Sequence, residues 1–272
     1  MKKLLLLGRT GQLGSQLDSI MKNDYDLVSI SHSDLDFNNF YLIEDLILKK
    51  SPDIIINCMA MTDVDKCEED KKQAYNINGE AIKHIARSLK ITESYFINIS
   101  TDYVFSGDRG NYGETDIAAP VNYYGMSKLI GDTYALSYDN SLTIRTSGVF
   151  LSKGFPLFVY NKLKNSEKVY AIPGFYSPIS AVYLARAIKK ILPLNKTGIL
   201  NIAGERTSRI ALGERIAELF NLSKNIEEKA VEMKAQRPYD SSLNLDKAKK
   251  LIDFNFYDLD DNLKSINQNL FN

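Results

Sequence analysis

A tyrosine and a lysine stand four residues apart in the segment Tyr124-Gly125-Met126-Ser127-Lys128. On a helix this spacing places both side chains on one face. The ordinary pKa of a tyrosine, about 10, is too high for proton transfer at neutral pH, and a nearby ammonium group lowers it by favouring the phenolate. The pair is therefore suited to acid–base chemistry. The same spacing also occurs by chance on exposed helices.

A hydroxyl group could join this pair, because Ser100-Thr101-Asp102 follow an apolar run that is typical of a strand. Ligands of open α/β sheets bind outside the carboxyl ends of the strands. We therefore expect Thr101 to hydrogen-bond either a substrate carbonyl oxygen or the Tyr124 hydroxyl, and Asp102 to lie at the same edge.

A glycine loop follows the first apolar run, in which Gly8, Gly11 and Gly14 are spaced as G-x-x-G-x-x-G. Glycines let the backbone turn tightly and approach a pyrophosphate, while the amides of the following helix bind the anion. The strand before the loop and the helix after it favour a dinucleotide site over a simple turn. The loop amides at Gln12 and Leu13 are part of the same candidate site.

The choice of cofactor depends on the end of the second strand. An NAD enzyme usually places an acidic residue there for the ribose 2′-hydroxyl, whereas this chain has Ser31-His32. Arg9 follows the first glycine and could bind a 2′-phosphate. The sequence favours NADPH, with NADH possible. Arg9 could equally be a solvated loop charge. For His32, a surface residue without a ligand is favoured.

Short apolar runs alternate with amphipathic ones, which predicts βαβ units and a Rossmann-type, doubly wound parallel sheet of the α/β class. The runs predict the following strands in the nucleotide-binding core: Lys3–Leu7, Leu27–Ser31, Asp53–Asn57, Tyr95–Ser100 and Leu142–Thr146. The amphipathic segments predict the following helices: Gln12–Lys22, Tyr41–Lys50, Lys72–Lys90 and Tyr123–Tyr138.

Beyond about residue 150 the alternation loosens, and the pattern predicts a smaller C-terminal substrate-binding lobe. We expect a dinucleotide-binding core over 1–150, joined by about 178–192, with 151–272 forming most of the lobe. The later elements predicted are a helix Ile179–Leu192, a strand Gly198–Ala203, a helix Ser208–Phe220 and an extended segment Arg237–Leu245.

The composition excludes several classes of protein. With 34 Lys+Arg against 34 Asp+Glu, the chain lacks the basic excess of a nucleic-acid-binding protein. No run approaches the roughly 18 apolar residues of a membrane span. Two cysteines fit a reducing cytoplasm better than a disulfide framework, and two histidines make a histidine-based metal site improbable. We expect a cytoplasmic protein without metal, as a monomer or a homodimer.

Several segments together resemble the extended short-chain dehydrogenase/reductases, and more narrowly the dTDP-4-dehydrorhamnose reductase branch. The core segments that carry the resemblance are Gly11-Gln12-Leu13-Gly14, Asn57-Cys58-Met59-Ala60, Val64-Asp65-Lys66, Ser100-Thr101-Asp102-Tyr103-Val104-Phe105 and Tyr124-Gly125-x-Ser127-Lys128. The segments Tyr112-x-Glu114, Arg145-Thr146-Ser147 and Arg237-Pro238 continue it in order, so that it covers nearly the whole chain.

The resemblance implies a reductase that transfers hydride from NAD(P)H to C4 of a nucleotide-activated 4-keto-6-deoxy sugar, in the synthesis of surface polysaccharides. It implies that Tyr124 is the proton donor, Lys128 its electrostatic partner and ribose anchor, and Thr101 the hydroxyl that polarises the carbonyl.

The resemblance also implies binding residues. Cofactor contacts fall on Gly11, Gln12 and Leu13 at the pyrophosphate, Asp36 and Phe37 near the adenine, and Ala60, Met61 and Thr62 at the nicotinamide half. Substrate contacts fall on Thr101 and Asp102. Asp36 could instead cap a helix. Arg237 could hold a nucleotide diphosphate or form a rim salt bridge.

Three positions depart from the family pattern. Gly148 stands where the rhamnose enzymes carry a tryptophan that packs on the substrate, which puts that sugar in doubt. Gln16 stands where some relatives have a glutamate for a dimer-bridging magnesium, so we expect no metal. Ser31 replaces an acidic residue.

Two other functions remain open. The first is an epimerase or 4,6-dehydratase on the same scaffold, which Asp102-Tyr103 disfavours because no glutamate follows the aspartate. The second is a non-catalytic NADP-binding regulatory subunit, which the presence of Thr101, Tyr124 and Lys128 disfavours.

Overall fold

Six parallel strands form the central sheet of the computed structural model, which describes residues 1–268. The strands of this sheet are β1 (Lys3–Leu7), β2 (Asp26–Ile30), β3 (Ile54–Asn57), β4 (Tyr95–Thr101), β5 (Ser141–Thr146) and β8 (Gly198–Asn201). Their order is β2-β1-β3-β4-β5-β8, so that the chain reverses direction of winding between β1 and β3. A ligand crevice is expected at such a switch point.

The helices that flank the sheet alternate with its strands along the chain. They are α1 (Gln12–Met21), α2 (Phe40–Lys50), α3 (Val64–Glu69), α4 (Lys71–Tyr75), α5 (Ala81–Thr92), α6 (Tyr123–Leu136) and α8 (Ala181–Ile191). A π-helix, Asn76–Glu80, lies between α4 and α5, and a short 3₁₀ helix, Asp102–Val104, follows β4.

The leucines of β1 divide between the two faces of the sheet, because successive side chains of a strand point to opposite sides. Leu4 and Leu6 pack with the buried residues of α1 and α8. Leu5 and Leu7 pack with those of α2 and α5. The sheet is therefore covered on both faces, which explains the continuous apolar runs of its strands.

A second, smaller body of structure follows β5 and has its own apolar cluster, which includes Phe150, Leu212 and Leu263. Its elements are α7 (Phe155–Lys164), β6 (Val169–Ala171), β7 (Phe175–Tyr176), β9 (Thr207–Ser208), α9 (Arg209–Leu219), β10 (Ile226–Glu228) and α11 (Leu259–Gln268). Helix α10 (Asp246–Leu251) instead packs against the core, where its Ala248 joins the same apolar cluster as Leu200 of β8. The strands pair as β10-β6 and β7-β9. We call this body the lobe.

The segment between β10 and α10 lies against the core. Residues 234–245, which we call the C-terminal strap, contain no helix and make single bridges from Leu243 to Tyr112 and from Asp240 to Phe175. The prediction of an extended segment here is confirmed. The strap joins both bodies beside the carboxyl ends of β4 and β5.

The predicted strands of the core are confirmed within one residue at each end, and the α/β doubly wound class is confirmed. The predicted helix Lys72–Lys90 is confirmed as one continuous helical run from Lys71 to Thr92, made of α4, the π-helix and α5; the short helix α3, which precedes it, was not predicted. Helices α7, α10 and α11 were not predicted. The division into a core and a substrate-binding lobe stays a prediction about function.

Candidate active site

The glycine loop fits a dinucleotide pyrophosphate. Gly8 has a φ of 87°, in the left-handed region that favours glycine. A Cβ on Gly14 would lie 2.1 Å from the Gly8 carbonyl oxygen, so that α1 can pack against the loop only with glycine there. Gly11 is the N-cap of α1 and carries no side chain over the free amides. The first turn of α1 therefore offers exposed N–H groups to an anion.

Gln12 and Leu13, which were predicted at the pyrophosphate, differ in what they can offer. The Gln12 side chain donates to the Val149 carbonyl oxygen and accepts from the Lys153 amide, both at 3.0 Å. It thereby fastens α1 to the beginning of the lobe. The Leu13 side chain is buried in the core, so that only its backbone amide can face a phosphate.

A carboxylate lies at the end of β2, contrary to the sequence-based expectation. Asp34 accepts hydrogen bonds from the Ser31 amide at 2.8 Å and the Ser31 hydroxyl at 2.6 Å. These bonds hold the pKa of Asp34 below its usual value. Arg9, the predicted 2′-phosphate ligand, donates to the same carboxylate at 3.3 Å. The chain turns back after Ser31 and places the acid three residues later than expected.

The two predicted adenine-side residues lie in the turn before α2. Asp36 is exposed and accepts from the Asn38 amide at 2.9 Å. It does not cap α2, because Asn39 is the N-cap and accepts from the Leu42 amide. Phe37 is buried in the core, with 8% of its surface exposed. Asp36 therefore remains free to contact a ligand, whereas Phe37 mainly supports the turn.

The predicted nicotinamide-side residues Ala60, Met61 and Thr62 follow β3 at the switch point and are partly or fully exposed. Asn78, which the sequence did not single out, holds this loop. Its side chain accepts from the Met61 amide at 2.8 Å and donates to the Met61 carbonyl oxygen at 3.0 Å. Asn78 lies in the π-helix, and π-turns often occur at functional sites.

Tyr124 and Thr101 meet at the carboxyl edge of the sheet. Tyr124 is in the first turn of α6, where Asn122 caps the helix by accepting from the Gly125 amide at 2.8 Å. A hydrogen bond with Thr101 lowers the pKa of Tyr124, but burial outweighs this effect and raises that pKa well above its usual value. Tyr124 therefore keeps its proton across the neutral range.

Lys128 does not contact the Tyr124 hydroxyl. Its Nζ atom donates to the Ile99 carbonyl oxygen at 2.6 Å, and only 2% of the residue is exposed. Burial lowers the pKa of Lys128, partly offset by the charge of Asp132. The expectation that Lys128 lowers the pKa of Tyr124 is wrong, because desolvation of the phenol dominates.

Asp102, predicted to face the substrate, is buried with 2% of its surface exposed. Its carboxyl group accepts from the hydroxyls of Ser147 and Ser241, at 2.7 and 2.5 Å. Ser147 follows β5, whereas Ser241 belongs to the C-terminal strap. The carboxyl group thus joins the core to the lobe next to Thr101.

Gly148, predicted on the substrate side, has a φ of 48° and is exposed. A Cβ at this position would lie 2.7 Å from the Tyr176 ring. The guanidinium carbon of Arg209 lies 4.8 Å from the centre of the Tyr176 ring. Tyr176 therefore brings an aromatic ring to the position next to Gly148.

Arg237, predicted at the substrate diphosphate, forms a paired contact with Asp65 of α3. The two nitrogen–oxygen distances are 3.2 and 3.1 Å. Asp65 also accepts from the Ala235 amide at 2.9 Å, and together these donors hold the pKa of Asp65 below its usual value. In this structure Arg237 forms the rim salt bridge that the sequence left as the alternative.

Within residues 1–268, no cluster of three or more His, Cys, Asp or Glu side chains could hold a metal ion. Over the same described part of the chain, no helix is long and apolar enough to cross a membrane. Sequence reasoning missed Asp34, Asn78, Ser147, Tyr176, Arg209 and Ser241 as site residues. Two of these left a local signal: Asp34, as an acid soon after the second strand, and Ser147, as part of the segment Arg145-Thr146-Ser147.

Comparison with known proteins extends over the whole chain. The sequence profile of the RmlD substrate binding domain matches residues 1–271. The chain is 30% identical over 268 residues to a dTDP-4-dehydrorhamnose reductase of Shigella flexneri, which covers 90% of both proteins. It is 32% identical over 218 residues to the enzyme of the same name from Aggregatibacter actinomycetemcomitans, covering 75% of this chain and 74% of that protein.

Solved structures show the same similarity. A hypothetical dTDP-4-dehydrorhamnose reductase from Sulfolobus tokodaii is 49% identical, with a TM-score of 0.92 over 95% of this chain and 98% of the other. The dTDP-4-dehydrorhamnose reductase of Bacillus anthracis, solved in complex with NADP, is 25% identical, with a TM-score of 0.91 over 98% and 99% of the two chains.

Proposed function

The chain belongs to the RmlD substrate binding domain family, and we propose from this that it is an NADPH-dependent reductase of a nucleotide-activated 4-keto-6-deoxy sugar. The observation that carries the proposal is the placement of Thr101 at the carboxyl end of β4 and of Tyr124 in the first turn of α6, where the Tyr124 ring lies 5.8 Å from the ring of Tyr103. We place the reaction in the synthesis of deoxysugars for surface polysaccharides.

The cofactor site is assigned to the glycine loop, the end of β2 and the loop after β3. The positive φ of Gly8 and the contact of Gly14 with the Gly8 carbonyl group let the loop turn tightly against α1. We assign the pyrophosphate to the first turn of that helix. Arg9 would bind the 2′-phosphate once it leaves Asp34. When bound, the reduced dinucleotide supplies the hydride for the ketone. NADH remains possible because Asp34 could accept from a ribose hydroxyl.

Tyr124 is assigned as the proton donor. Its raised pKa keeps the hydroxyl protonated until an alkoxide, a much stronger base, needs the proton. Lys128 is held by one bond to Ile99, and an ammonium group has three donors. Its remaining donors are available to a ribose hydroxyl and to the phenolate that Tyr124 becomes.

The sugar is assigned to the cleft between Thr101 and the lobe. Tyr176 brings its ring next to Gly148, and we assign to it the aromatic contact that a larger residue at position 148 would supply. Arg237 is assigned to the diphosphate, since a guanidinium that pairs with a carboxylate can pair in the same way with a phosphate.

The experiment that tests the function is NADPH oxidation with dTDP-4-dehydrorhamnose and with 4-keto sugars on other nucleotides. We expect turnover with at least one of them. Tyr124→Phe should reduce kcat at least about a hundredfold, the scale of general acid catalysis, and leave NADPH affinity nearly unchanged.

Tyr123→Phe is the matched control, because it removes the neighbouring phenol, whose ring contacts Lys71 and not Thr101. It should keep wild-type turnover. NADPH binding without turnover of any 4-keto sugar would favour the regulatory subunit. Turnover without net loss of NADPH would favour the epimerase or dehydratase.

A further inference from the structure

Arg209 is a buried arginine without an ion-pair partner. It is the first residue of α9, and 8% of its surface is exposed. Two other arginines of the C-terminal half are paired. Arg206 contacts Asp240 at 2.7 Å, and Arg237 contacts Asp65 at 3.1 Å. Over the part of the chain that the structure describes, no carboxylate pairs with Arg209 in this way, and its Nη1 atom has no hydrogen-bond partner.

An unpaired arginine destabilises the protein at this position for two reasons. Burial removes the water that would otherwise solvate the charge, and no partner in the protein replaces that water. The amino terminus of a helix also carries a partial positive charge, which repels a cation in its first turn. An anion bound at the Arg209 guanidinium group would offset both effects.

A second unpartnered donor lies beside Arg209. The guanidinium carbon is 4.8 Å from the centre of the Tyr176 ring, and the buried hydroxyl of Tyr176 has no hydrogen-bond partner either. A hydroxyl buried without a partner also lowers stability. A guanidinium group only donates and a phenol can donate, so that both groups are satisfied by an oxyanion, which presents several acceptor oxygens.

Tyr176 places these donors on the substrate side of the sheet. A Cβ on Gly148, which is exposed just after β5, would lie 2.7 Å from the Tyr176 ring. The next residue, Ser177, donates its amide to the Ser147 hydroxyl at 3.1 Å, and Ser147 donates to Asp102 at 2.7 Å. The unpartnered donors therefore lie beside the carboxyl ends of β4 and β5, where we assign the sugar.

The C-terminal strap covers the Nη1 atom of Arg209. A Cβ on Gly174 would lie 3.5 Å from Nη1 and 2.4 Å from the Tyr239 carbonyl oxygen. That oxygen accepts from the Phe175 amide at 2.7 Å and does not bond Nη1. A ligand therefore reaches Nη1 when the strap moves at Tyr239, which is two residues from Arg237.

We propose that Arg209 and the Tyr176 hydroxyl bind an oxyanion of the nucleotide sugar. The proposal rests on the proposed reductase function, whose substrate it describes more closely. Two groups of a nucleotide sugar have this chemistry, the diphosphate and a carboxylate carried by the sugar. The charge of Arg237 is balanced by Asp65, so that Arg209 supplies positive charge that no carboxylate of the protein offsets.

Thermal unfolding tests the proposal without turnover. Arg209→Met removes the charge and keeps a long side chain, whose sulfur can pack on the Tyr176 ring. Because the unpaired charge destabilises the free protein, this variant should unfold at a temperature at least as high as that of the wild type. A lower unfolding temperature would show that Arg209 serves the fold and would overturn the proposal.

Calorimetric titration of the NADP-saturated protein tests binding, since NADP keeps the probes out of the cofactor site. The probes are UDP, UDP-glucose, UDP-glucuronate and dTDP. If the oxyanion is the diphosphate, Arg209→Met should weaken every probe that the wild type binds by about tenfold or more, the scale of a charge-assisted hydrogen bond. If the oxyanion is a carboxylate of the sugar, only UDP-glucuronate should be weakened.

Arg209→Lys keeps the charge but loses the planar pair of donors, so that its affinities should fall between those of the wild type and Arg209→Met. Arg206→Met is the matched control. Arg206 also lies over an aromatic ring, 3.8 Å from the centre of Phe175, but it has Asp240 as its partner. The control should bind the probes as the wild type does.

Unchanged affinity for all probes in Arg209→Met would overturn the proposal, as would a wild type that binds none of them. Equal losses in Arg209→Met and Arg206→Met would overturn it as well. Failure to oxidise NADPH with any 4-keto sugar would instead overturn the proposed reductase alone, because the titrations measure binding at Arg209 without turnover.

Discussion

Asp34 and Arg9 form an ion pair at the end of β2, where the adenine ribose of a dinucleotide is expected. The Arg9 and Asp34 side chains are 42% and 39% exposed, so that water weakens the contact. A 2′-phosphate would be attracted by Arg9 and repelled by Asp34. The cofactor preference at this site is the balance of these two charges.

Asp34→Asn should shift the preference toward NADPH, because it removes the repulsion and leaves Arg9 without its carboxylate partner. A change of about 1 kcal/mol, the scale of an exposed ion pair, corresponds to about fivefold in the NADPH/NADH ratio of kcat/KM. Arg9→Ala should shift the ratio in the opposite direction. Shifts of the same sign in both variants would contradict the assignment, and kcat/KM with each cofactor measures them.

At the scale of elements, the π-helix Asn76–Glu80 connects the loop after β3 to helix α6. Asn78 binds the Met61 backbone and donates to the Ser127 hydroxyl at 3.0 Å. Ser127 in turn donates to the Tyr124 carbonyl oxygen at 2.8 Å. One buried amide therefore sets the position of the predicted nicotinamide loop relative to the predicted proton donor.

Asn78→Ala should destabilise the fold and weaken NADPH binding, since it leaves the Met61 amide without its partner. Loss of the three hydrogen bonds of the buried Asn78 side chain predicts a decrease of about 2–4 kcal/mol in the free energy of unfolding. Asn78→Asp keeps an acceptor for the Met61 amide but buries a carboxylate oxygen against the Met61 carbonyl oxygen, so it should destabilise the fold at least as much as Asn78→Ala. Urea unfolding and NADPH titration measure the effects; an Asn78→Ala variant as stable as the wild type would contradict this account.

The local sequence predicted the elements well wherever one regular pattern filled an element. The four leucines of β1 and the isoleucines of β3 are buried on both faces, and such runs leave few alternatives to a parallel strand. In the region after β3 the sequence missed α3, because a helix of six residues is too short to show a clear amphipathic pattern. Asp63 caps α3 and Asp70 caps α4, each by accepting a backbone amide three residues later.

The candidate site was predictable only where its residues are close in sequence or belong to a recognised motif. Thr101, Tyr124 and the glycine loop fall in that group. Ser241 approaches Asp102 from 139 residues away, and Tyr176 reaches Gly148 across the lobe. No local pattern records such contacts, because they depend on how the lobe packs against the core.

At the scale of the whole molecule, the C-terminal strap binds α3 and the beginning of α6. Arg237 pairs with Asp65, Lys234 pairs with Glu69, and the Gln236 carbonyl oxygen accepts from Asn122 at 2.8 Å. Arg237 is the least exposed of the strap's cations, with 15% of its side chain accessible. The strap therefore holds Arg237 on the carboxylate of Asp65, which the diphosphate of the proposed substrate could replace.

Asp65→Asn should lower the KM for the nucleotide sugar by about threefold, because Arg237 no longer has to leave a charged partner. Asn retains an oxygen for the Ala235 amide. Arg237→Ala should raise that KM by about tenfold or more, as expected for loss of a charge-assisted contact. Lys234→Ala, in the same strap, should leave KM unchanged. If Asp65→Asn and Arg237→Ala both raise the KM for the nucleotide sugar, Arg237 serves only to form a structural salt bridge with Asp65.

The contact between Ser241 and Asp102 also bears on how the protein is made. Domains fold as the ribosome releases them, beginning at the amino terminus. The six-stranded sheet can form once β8 has been synthesised, but the Ser241 hydroxyl, which completes the hydrogen bonds of the Asp102 carboxyl group, is encoded 139 residues after Asp102. A nascent chain can therefore assemble its central sheet early and still lack this partner of Asp102 until the strap has been synthesised.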